Sequence, residues 1–158
     1  MINKERLEQA IAVMQRAGKV SMGTWQGGNT LECATDEEGL HQCGSTACFA
    51  GWVAVSPEFQ AAGGRVGTSG WPCFDLCTGH DAINRWLETR GFKAEVIELL
   101  VLGSTLISDS AVEWLRSKQI SIDAGKHNPT SNYSYAYLNH WNKYKAPHVI
   151  RILEALKS

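Results

Sequence analysis

The sequence predicts a mainly α-helical fold, and three observations indicate it. Apolar residues recur at helical spacing in several stretches, residues that favour helix N-caps precede many of them, and glycine or proline follows. The length of 158 residues suits one domain. We therefore expect a single compact domain over residues 1–158, with about five or six helices and long glycine-rich loops. A small β-hairpin near residues 24–44 is the only sheet that these patterns indicate.

The first predicted helix covers residues 3–17. Asn3 has a side chain that can accept a hydrogen bond from a free N–H group of the first turn. Leu7 and Ile11 then fall on one face at helical spacing. This pattern indicates an amphipathic helix whose apolar face packs on the core.

The second predicted helix, residues 45–55, is apolar on every side. Ser45 can serve as its N-cap, and Pro57 lies just beyond its end. No strongly polar side chain follows Thr46 in this stretch. Because a helix that is apolar all round belongs in the interior, we expect this helix to be buried and its sulfur atoms to fill space between other side chains.

Further helices are predicted in the second half of the chain, where caps, glycine or proline mark the ends of apolar stretches. They cover residues 80–90, 93–102, 110 to about 118, where Ser110 and Glu113 form a capping box, and a closing helix that starts near Pro147. The segments 60–79 and 121–134 are rich in glycine or polar residues, and the second contains Asn128-Pro129. Both are therefore expected to be loops.

Charge and hydropathy exclude several classes of partner. Lysine and arginine number 15 and aspartate and glutamate 16, so the net charge of −1 creates no field that attracts nucleic acid or an anionic membrane. No segment reaches the roughly 20 apolar residues that cross a bilayer. Lys4, Glu5 and Arg6 stand where a signal peptide would be apolar. We expect no membrane partner and a cytoplasmic location, where the five cysteines, an odd number, stay reduced.

Two short stretches form a recognisable motif. The first is Val20-Ser21-Met22-Gly23-Thr24-Trp25, and the second contains Cys43, Gly44, Ser45, Cys48, Ala50, Gly51 and Trp52. Together they resemble a group of small bacteriophage and bacterial proteins that share F-D-M-x-x-W followed by C-G-T-x-x-C-x-A-G-W. Val20-Ser21 replaces the usual Phe-Asp, and Ser45 replaces the usual Thr. The resemblance covers roughly residues 5–55. It implies a phage or prophage origin, hence a bacterial host cytoplasm, and a shared fold. It implies no reaction, since the group has no established activity.

Cys48 is the candidate nucleophile. If Ser45 caps the helix, Cys48 lies in the first turn, where the helix dipole lowers the pKa of a thiol. A cysteine hydrolase also needs a histidine base and an orienting group. The candidates for these two roles lie in no distinctive context, and they are His80, His127, His140, Asn128 and Asn139. The alternative, which we prefer, is that Cys48 is a small buried side chain.

A zinc site is the second chemical alternative. The candidate ligands are cysteine and histidine residues close to one another in the sequence or near the motif, namely Cys73, Cys77, His80, Cys43, Cys48 and His41. Their spacing differs from the usual Cys-x-x-Cys of zinc sites. We therefore expect no cofactor, with zinc as the alternative, and thiols that pack in the core.

Aromatic and basic residues interleave near the C-terminal end of the sequence. They are Tyr133, Tyr135, Tyr137, Trp141 and Tyr144, with His140, Lys143, Lys145, His148 and Arg151. Such a pattern can hold a single strand of nucleic acid by stacking and charge. Leu138 and Val149 indicate instead a helix that packs on the core, and the net charge is not positive. We therefore do not expect nucleic acid as a partner.

These observations favour a non-enzymatic accessory protein that binds a host or phage protein. The motif resemblance suggests host takeover or anti-defence, such as inhibition of a bacterial immune system. Trp25 and Trp71 lie in the glycine-rich loops 23–44 and 63–79 and are the expected contact residues. The alternatives are a thiol-dependent enzyme that uses Cys48 and a small zinc-stabilised binding protein. The sequence indicates no oligomeric state.

Overall fold

A computed structural model describes residues 1–27, 33–43, 45–126 and 133–158, and in these ranges the chain is a mixed α/β protein. Its helices are α1 (Lys4–Arg16), α2 (Glu37–Gln42), α3 (Phe49–Val55), α4 (Pro57–Ala61), α5 (His80–Leu87), α6 (Phe92–Leu102), α7 (Asp109–Ser117) and α8 (Ala146–Leu156). Two short 3-10 helices lie at Thr68–Gly70 and Trp141–Lys143. Within the described ranges, every helix is too short or too polar to cross a membrane.

The described strands form three antiparallel sheets, with the orders β1-β2, β3-β4-β5 and β6-β8-β7. Their bounds are β1 (Gln26–Gly27), β2 (Thr46–Ala47), β3 (Gly64–Val66), β4 (Pro72–Phe74), β5 (Cys77–Thr78), β6 (Ser104–Ser108), β7 (Ile122–Lys126) and β8 (Tyr133–Leu138).

The prediction of a mainly α-helical fold is wrong, because two three-stranded sheets occupy segments that the sequence does not identify as strands. Residues 60–79 contain β3, β4 and β5, and residues 121–134 contain β7 and the start of β8. Most of these strands are too short to show a clear period of two. They are stabilised by pairing with other strands, which local propensity does not report. The predicted turn at Asn128-Pro129 lies outside the described residues.

Two predicted boundaries around the motif also differ. The hairpin expected near residues 24–44 is absent from the described part of that range, since β1 pairs with β2 and α2 lies between them in the chain. The helix expected at 45–55 begins at Phe49, because Thr46–Ala47 is a strand and Cys48 takes the N-cap position. Its buried character is confirmed, since every residue of α3 is buried.

The first predicted helix is confirmed as α1, and this helix also supports α5. Asn3 is the N-cap, with its side-chain oxygen accepting from the N–H of Arg6 at 3.1 Å. The guanidinium of Arg6 donates to the carbonyl oxygen of Trp86 at 2.8 Å. The N–H of Asn3 donates to the carbonyl oxygen of Leu87 at 2.8 Å. Two carbonyls of the last turn of α5, which have no partner within that helix, are therefore satisfied by α1.

The later helices agree with the sequence except at their ends. α6 and α8 match the predictions closely, and α5 ends three residues before the predicted Arg90, at Leu87. The N-cap of α7 is Ser108 and not Ser110: its hydroxyl oxygen accepts from the N–H of Ala111 at 3.4 Å. The carboxylate of Glu95 in α6 accepts from both the N–H and the hydroxyl of Ser108, at 3.1 and 2.7 Å.

The core lies between the helices and the inner face of the β6-β8-β7 sheet. α1 packs against α8, α3 and α5, and α6 packs against α5 and β6. Ile107, Ala136 and Leu138 point from the sheet into the core and are buried. Leu106 in β6 and Tyr135 and Tyr137 in β8 point to the other side of the sheet, because successive side chains of a strand alternate between faces.

Candidate functional site

The two halves of the motif are joined by backbone hydrogen bonds. The N–H of Ser21 donates to the carbonyl oxygen of Ala47 at 3.0 Å, and the N–H of Ala47 donates to that of Lys19 at 3.2 Å. The N–H of Cys48 donates to the carbonyl oxygen of Thr24 at 2.8 Å. The first stretch of the motif therefore runs alongside β2 and meets the start of α3.

Close packing explains the Ala50-Gly51-Trp52 part of the motif. A Cβ atom on Gly51 would lie 1.7 Å from the carbonyl oxygen of Trp25, so only glycine fits there. The indole N–H of Trp52 donates to the carbonyl oxygen of Lys19 at 3.1 Å, and its ring lies 4.9 Å from that of His41. Ala50 and Trp52 are fully buried. These contacts account for the motif residues as a folding unit, without a ligand.

Cys48 is the N-cap residue of α3, and its thiol is shielded from water. Its side chain is 2% exposed, and its sulfur accepts from the N–H of Gly51 at 3.4 Å. Burial raises the pKa of the Cys48 thiol to about 11. Nucleophilic cysteines depend on the thiolate, so this environment favours the packing role over catalysis.

The histidines with described contacts are engaged elsewhere. His41 lies against Trp52, and His80 lies 3.3 Å from Asp81 and 3.6 Å from Glu98. His148 accepts a hydrogen bond from the N–H of Lys145 at 3.0 Å. Of the other candidates for the triad roles, Asn139 donates to Ser121, His140 is exposed, and His127 and Asn128 lie outside the described residues. No described contact joins an imidazole to Cys48.

The candidate zinc ligands do not converge. Cys73 pairs with Thr78 and Cys77 pairs with Phe74 in the β4–β5 hairpin, so the two cysteines point to opposite faces of the sheet. Among the described residues, no group of three histidine, cysteine or acidic side chains could hold a metal ion. Cys43 is exposed, and a hydrogen bond with Ser45 lowers the pKa of its thiol. Gly44 lies outside the described residues.

The two predicted contact residues, Trp25 and Trp71, are both half-buried. The indole of Trp71 covers Gly67, where a Cβ atom would come within 2.3 Å of the ring nitrogen. Trp25 borders a cleft of about 200 Å³, which Trp141, Leu102 and Cys48 also line. The structure therefore brings Trp25 together with Cys48 and Trp141, while Trp71 packs on its own loop.

A larger exposed apolar surface lies on the outer face of the β6-β8-β7 sheet. Tyr133, Tyr135 and Tyr137 alternate along the central strand and are 50%, 43% and 46% exposed, and Leu106, opposite Tyr135, is 49% exposed. We call these four residues the tyrosine face. Sequence reasoning assigned the tyrosines to a packing helix. The signal that identifies them is the strict alternation Tyr-Ser-Tyr-Ala-Tyr-Leu, since it has the period of a half-buried strand.

The tyrosine face carries a negative charge at one end. Asp123 in β7 is the direct partner of Tyr137. A hydrogen bond between the Tyr137 hydroxyl and the Asp123 carboxylate raises the pKa of that tyrosine. The surface therefore combines broad aromatic rings with a carboxylate acceptor.

An open groove of about 940 Å³ lies on another side, between α5 and the β4–β5 turn. Its charged lining is mixed and consists of Arg6, Arg85, Arg90, Asp75, Asp81 and Glu88. Arg85 lies 3.3 Å from Asp75, and Arg6 lies 3.6 Å from Glu88. Because the charges largely pair with one another, this groove selects no class of ligand by charge.

Compared with known proteins, the chain matches no family model, and neither a curated protein nor a solved structure is significantly similar to it. The motif resemblance over residues 20–52 therefore stays a prediction.

Proposed function

We propose that the chain is a non-enzymatic accessory protein that acts by binding another protein through the tyrosine face. The observation that carries this proposal is the row of three half-exposed tyrosines on the central strand, with Leu106 beside them. An aromatic side chain has roughly 200 Å² of surface, so the three rings leave roughly 300 Å² open to solvent. A patch of that size is within the range of the largest apolar patch on a typical monomer, which is often functional.

The chemistry of the tyrosine face suits a protein partner. Tyrosine is enriched at the energetic centres of protein interfaces, because its ring offers apolar area and its hydroxyl a hydrogen bond. Nucleic acid can also stack on tyrosine, but the Asp123 carboxylate at Tyr137 repels phosphate. The net charge of −1 adds no attraction for it.

The environment of Cys48 supports a non-enzymatic role. A thiol that is 2% exposed with a pKa of about 11 is protonated at neutral pH and offers almost no surface to a substrate. The motif around it is accounted for by packing with Trp25 and Lys19.

The biological setting rests on the motif resemblance. A phage origin places the chain in the cytoplasm of a bacterial host, and its partner is then a host or phage protein. Host takeover or anti-defence, such as inhibition of a bacterial immune system, is the role we propose for that complex.

Capture from host lysate tests the proposal. The wild-type chain, a Tyr135→Ala/Tyr137→Ala variant and a Leu76→Ala control are immobilised in parallel. Leu76 is a fully exposed apolar residue at the β4–β5 turn, away from the tyrosine face. We expect the wild type and the control to retain the same discrete protein and the double variant to lose it. Retention by all three, or capture of nucleic acid in place of protein, would refute the proposal.

A further inference from the structure

Among the residues that the structure describes, the outer edge of β7 has backbone groups without partners. In the order β6-β8-β7 of the described strands, β7 has a neighbouring strand on one side only. Edge strands with unpaired N–H and C=O groups are templates for a further strand.

The register of the sheet identifies which groups of β7 point outward. The N–H of Asn139, just after β8, donates to the carbonyl oxygen of Ser121, just before β7. The N–H of Leu138 in β8 donates to the carbonyl oxygen of Gly103, just before β6. Odd-numbered residues of β8 therefore bond with β7 and even-numbered ones with β6. Ala124 pairs with Ala136, so its own N–H and C=O point away from β8.

Every second residue of β7 has its backbone groups on the outer edge, as Ala124 does. Ile122, Ala124 and Lys126 all present their backbone N–H and C=O groups to the outer edge, two residues apart. Ile122 and Ala124 have no hydrogen bond on that side to any residue in the described part of the chain. Asp123 and Gly125 instead use their backbone groups to bond with β8.

The opposite edge of the sheet is partly closed. In β6, the backbone of Ser108 points outward by the same argument, but the Glu95 carboxylate accepts from its N–H and its hydroxyl. That side-chain contact covers the end of the β6 edge, whereas no described side chain does so for Ile122 or Ala124 in β7.

We infer that β7 pairs with β7 of a second copy of this chain, in an antiparallel register centred on Ala124. Ala124 then exchanges two backbone hydrogen bonds with Ala124 of the second copy. Ile122 pairs in the same way with Lys126 of the second copy, because both present their backbone groups outward. The two three-stranded sheets join edge to edge, and both tyrosine faces lie on the same side.

The side chains permit this register. Asp123 lies opposite Gly125 of the second copy, so the two aspartates do not face each other and a residue without a side chain receives each of them. A register centred on Asp123 would also pair outward-facing groups, those of Ile122 with those of Ala124, but it would place the two Asp123 carboxylates directly opposite each other, and like charges in that position are destabilising. The chain is therefore complementary to itself at this edge, which is the observation that favours a second copy over a foreign strand.

Sedimentation analysis of the full chain tests the inference. We expect the wild type to shift from monomer to dimer between about 1 µM and about 1 mM, because strand pairing alone buries less area than a stable dimer needs. Ala124→Pro removes the outward N–H without breaking a bond to β8, since proline is tolerated on an edge strand. This variant should remain monomeric over the whole range. Ala124→Ser keeps the N–H group and should dimerise like the wild type.

Hydrogen exchange gives an independent readout on the unmodified protein. The amide of Ala124 should exchange at least tenfold more slowly at the high end of that concentration range, while the amide of Asp123, which bonds within the sheet, should not change. The inference would be overturned by a wild type that is monomeric at every concentration, by a dimer of Ala124→Pro, or by an exchange rate at Ala124 that does not depend on concentration.

If the wild type is monomeric and Ala124→Pro loses a captured protein, the edge binds a foreign strand. The tyrosine variants should leave the dimer unchanged, which separates this test from that of the proposed function.

Discussion

Gly51 shows how a single position can determine a motif. The carbonyl oxygen of Trp25 passes over it at a distance that no side chain tolerates, and this contact joins the two halves of the motif. Cys48, three residues earlier, contributes a buried sulfur that accepts from the N–H of Gly51. The motif residues therefore have two packing roles. Gly51 allows two backbone segments to come close, and Cys48 fills the space beside them.

Gly51→Ala should destabilise the fold by about 3 kcal/mol, because the added methyl group can be accommodated only by moving backbone. Urea denaturation measures the loss. Gly23→Ala is the matched control, since its Cβ atom would meet nothing within 4 Å, and we expect it to change stability by less than about 0.5 kcal/mol. Equal stability of the Gly51→Ala variant and the wild type would contradict the packing explanation of the motif.

The raised pKa of Cys48 predicts a loss of stability at high pH. Its ordinary value is 9.0 and its value in the folded chain is about 11. Between these, the native state binds more protons than the unfolded state, so the free energy of unfolding falls as pH rises. Other groups titrate in the same range, so the quantity to measure is the difference between the wild type and Cys48→Ala.

The free energy of unfolding of the wild type, relative to that of Cys48→Ala, should fall steadily from pH 9 to about pH 11. Val53→Ala, which removes a buried side chain of the same helix that does not titrate, serves as the control and should follow the wild-type slope. A parallel pH dependence in the wild type and Cys48→Ala would mean that the Cys48 thiol is not held in its neutral form.

At the scale of elements, helix ends depend on contacts from distant parts of the chain. The N-cap of α7 illustrates this, since Ser108 is held at the end of β6 by the carboxylate of Glu95 in α6. The residues from Ser110 match the capping-box pattern, but Ser110 lies inside the helix and not at its N-cap. A cap is chosen by where the preceding strand ends, and the local pattern does not contain that information.

Ser108→Ala should therefore cost about 1 to 2 kcal/mol of stability, because it removes the cap and a charge-assisted hydrogen bond. Ser110→Ala should be close to neutral, since that side chain is exposed on the first turn of α7. Thermal unfolding of the two variants side by side measures the contrast, and the reverse order would show that Ser110 is the working cap.

At the scale of the whole molecule, the sequence predicted the buried helices better than the sheets. α1 and α8 have long apolar stripes and α6 is apolar on most of its surface, and both patterns are readable without knowing the partner. The strands are short, and β3 and β4 carry glycine and proline that also suit loops. The tyrosine face was missed for another reason, because the apolar residues that follow it, such as Val149, outweighed the alternation Tyr-Ser-Tyr-Ala-Tyr-Leu. Tyr133, Tyr135 and Tyr137 share a face only if the segment is extended, and the pairing of β8 with β6 and β7 decides that.

The contact between α1 and α5 has a consequence for how the molecule opens. Arg6 and Asn3 complete the last turn of α5 although they are about eighty residues away in the chain. When α1 detaches, the carbonyl groups of Trp86 and Leu87 lose their partners, and the end of α5 frays in the same event. Hydrogen exchange at the last turn of α5 thus reports the transient release of the first helix.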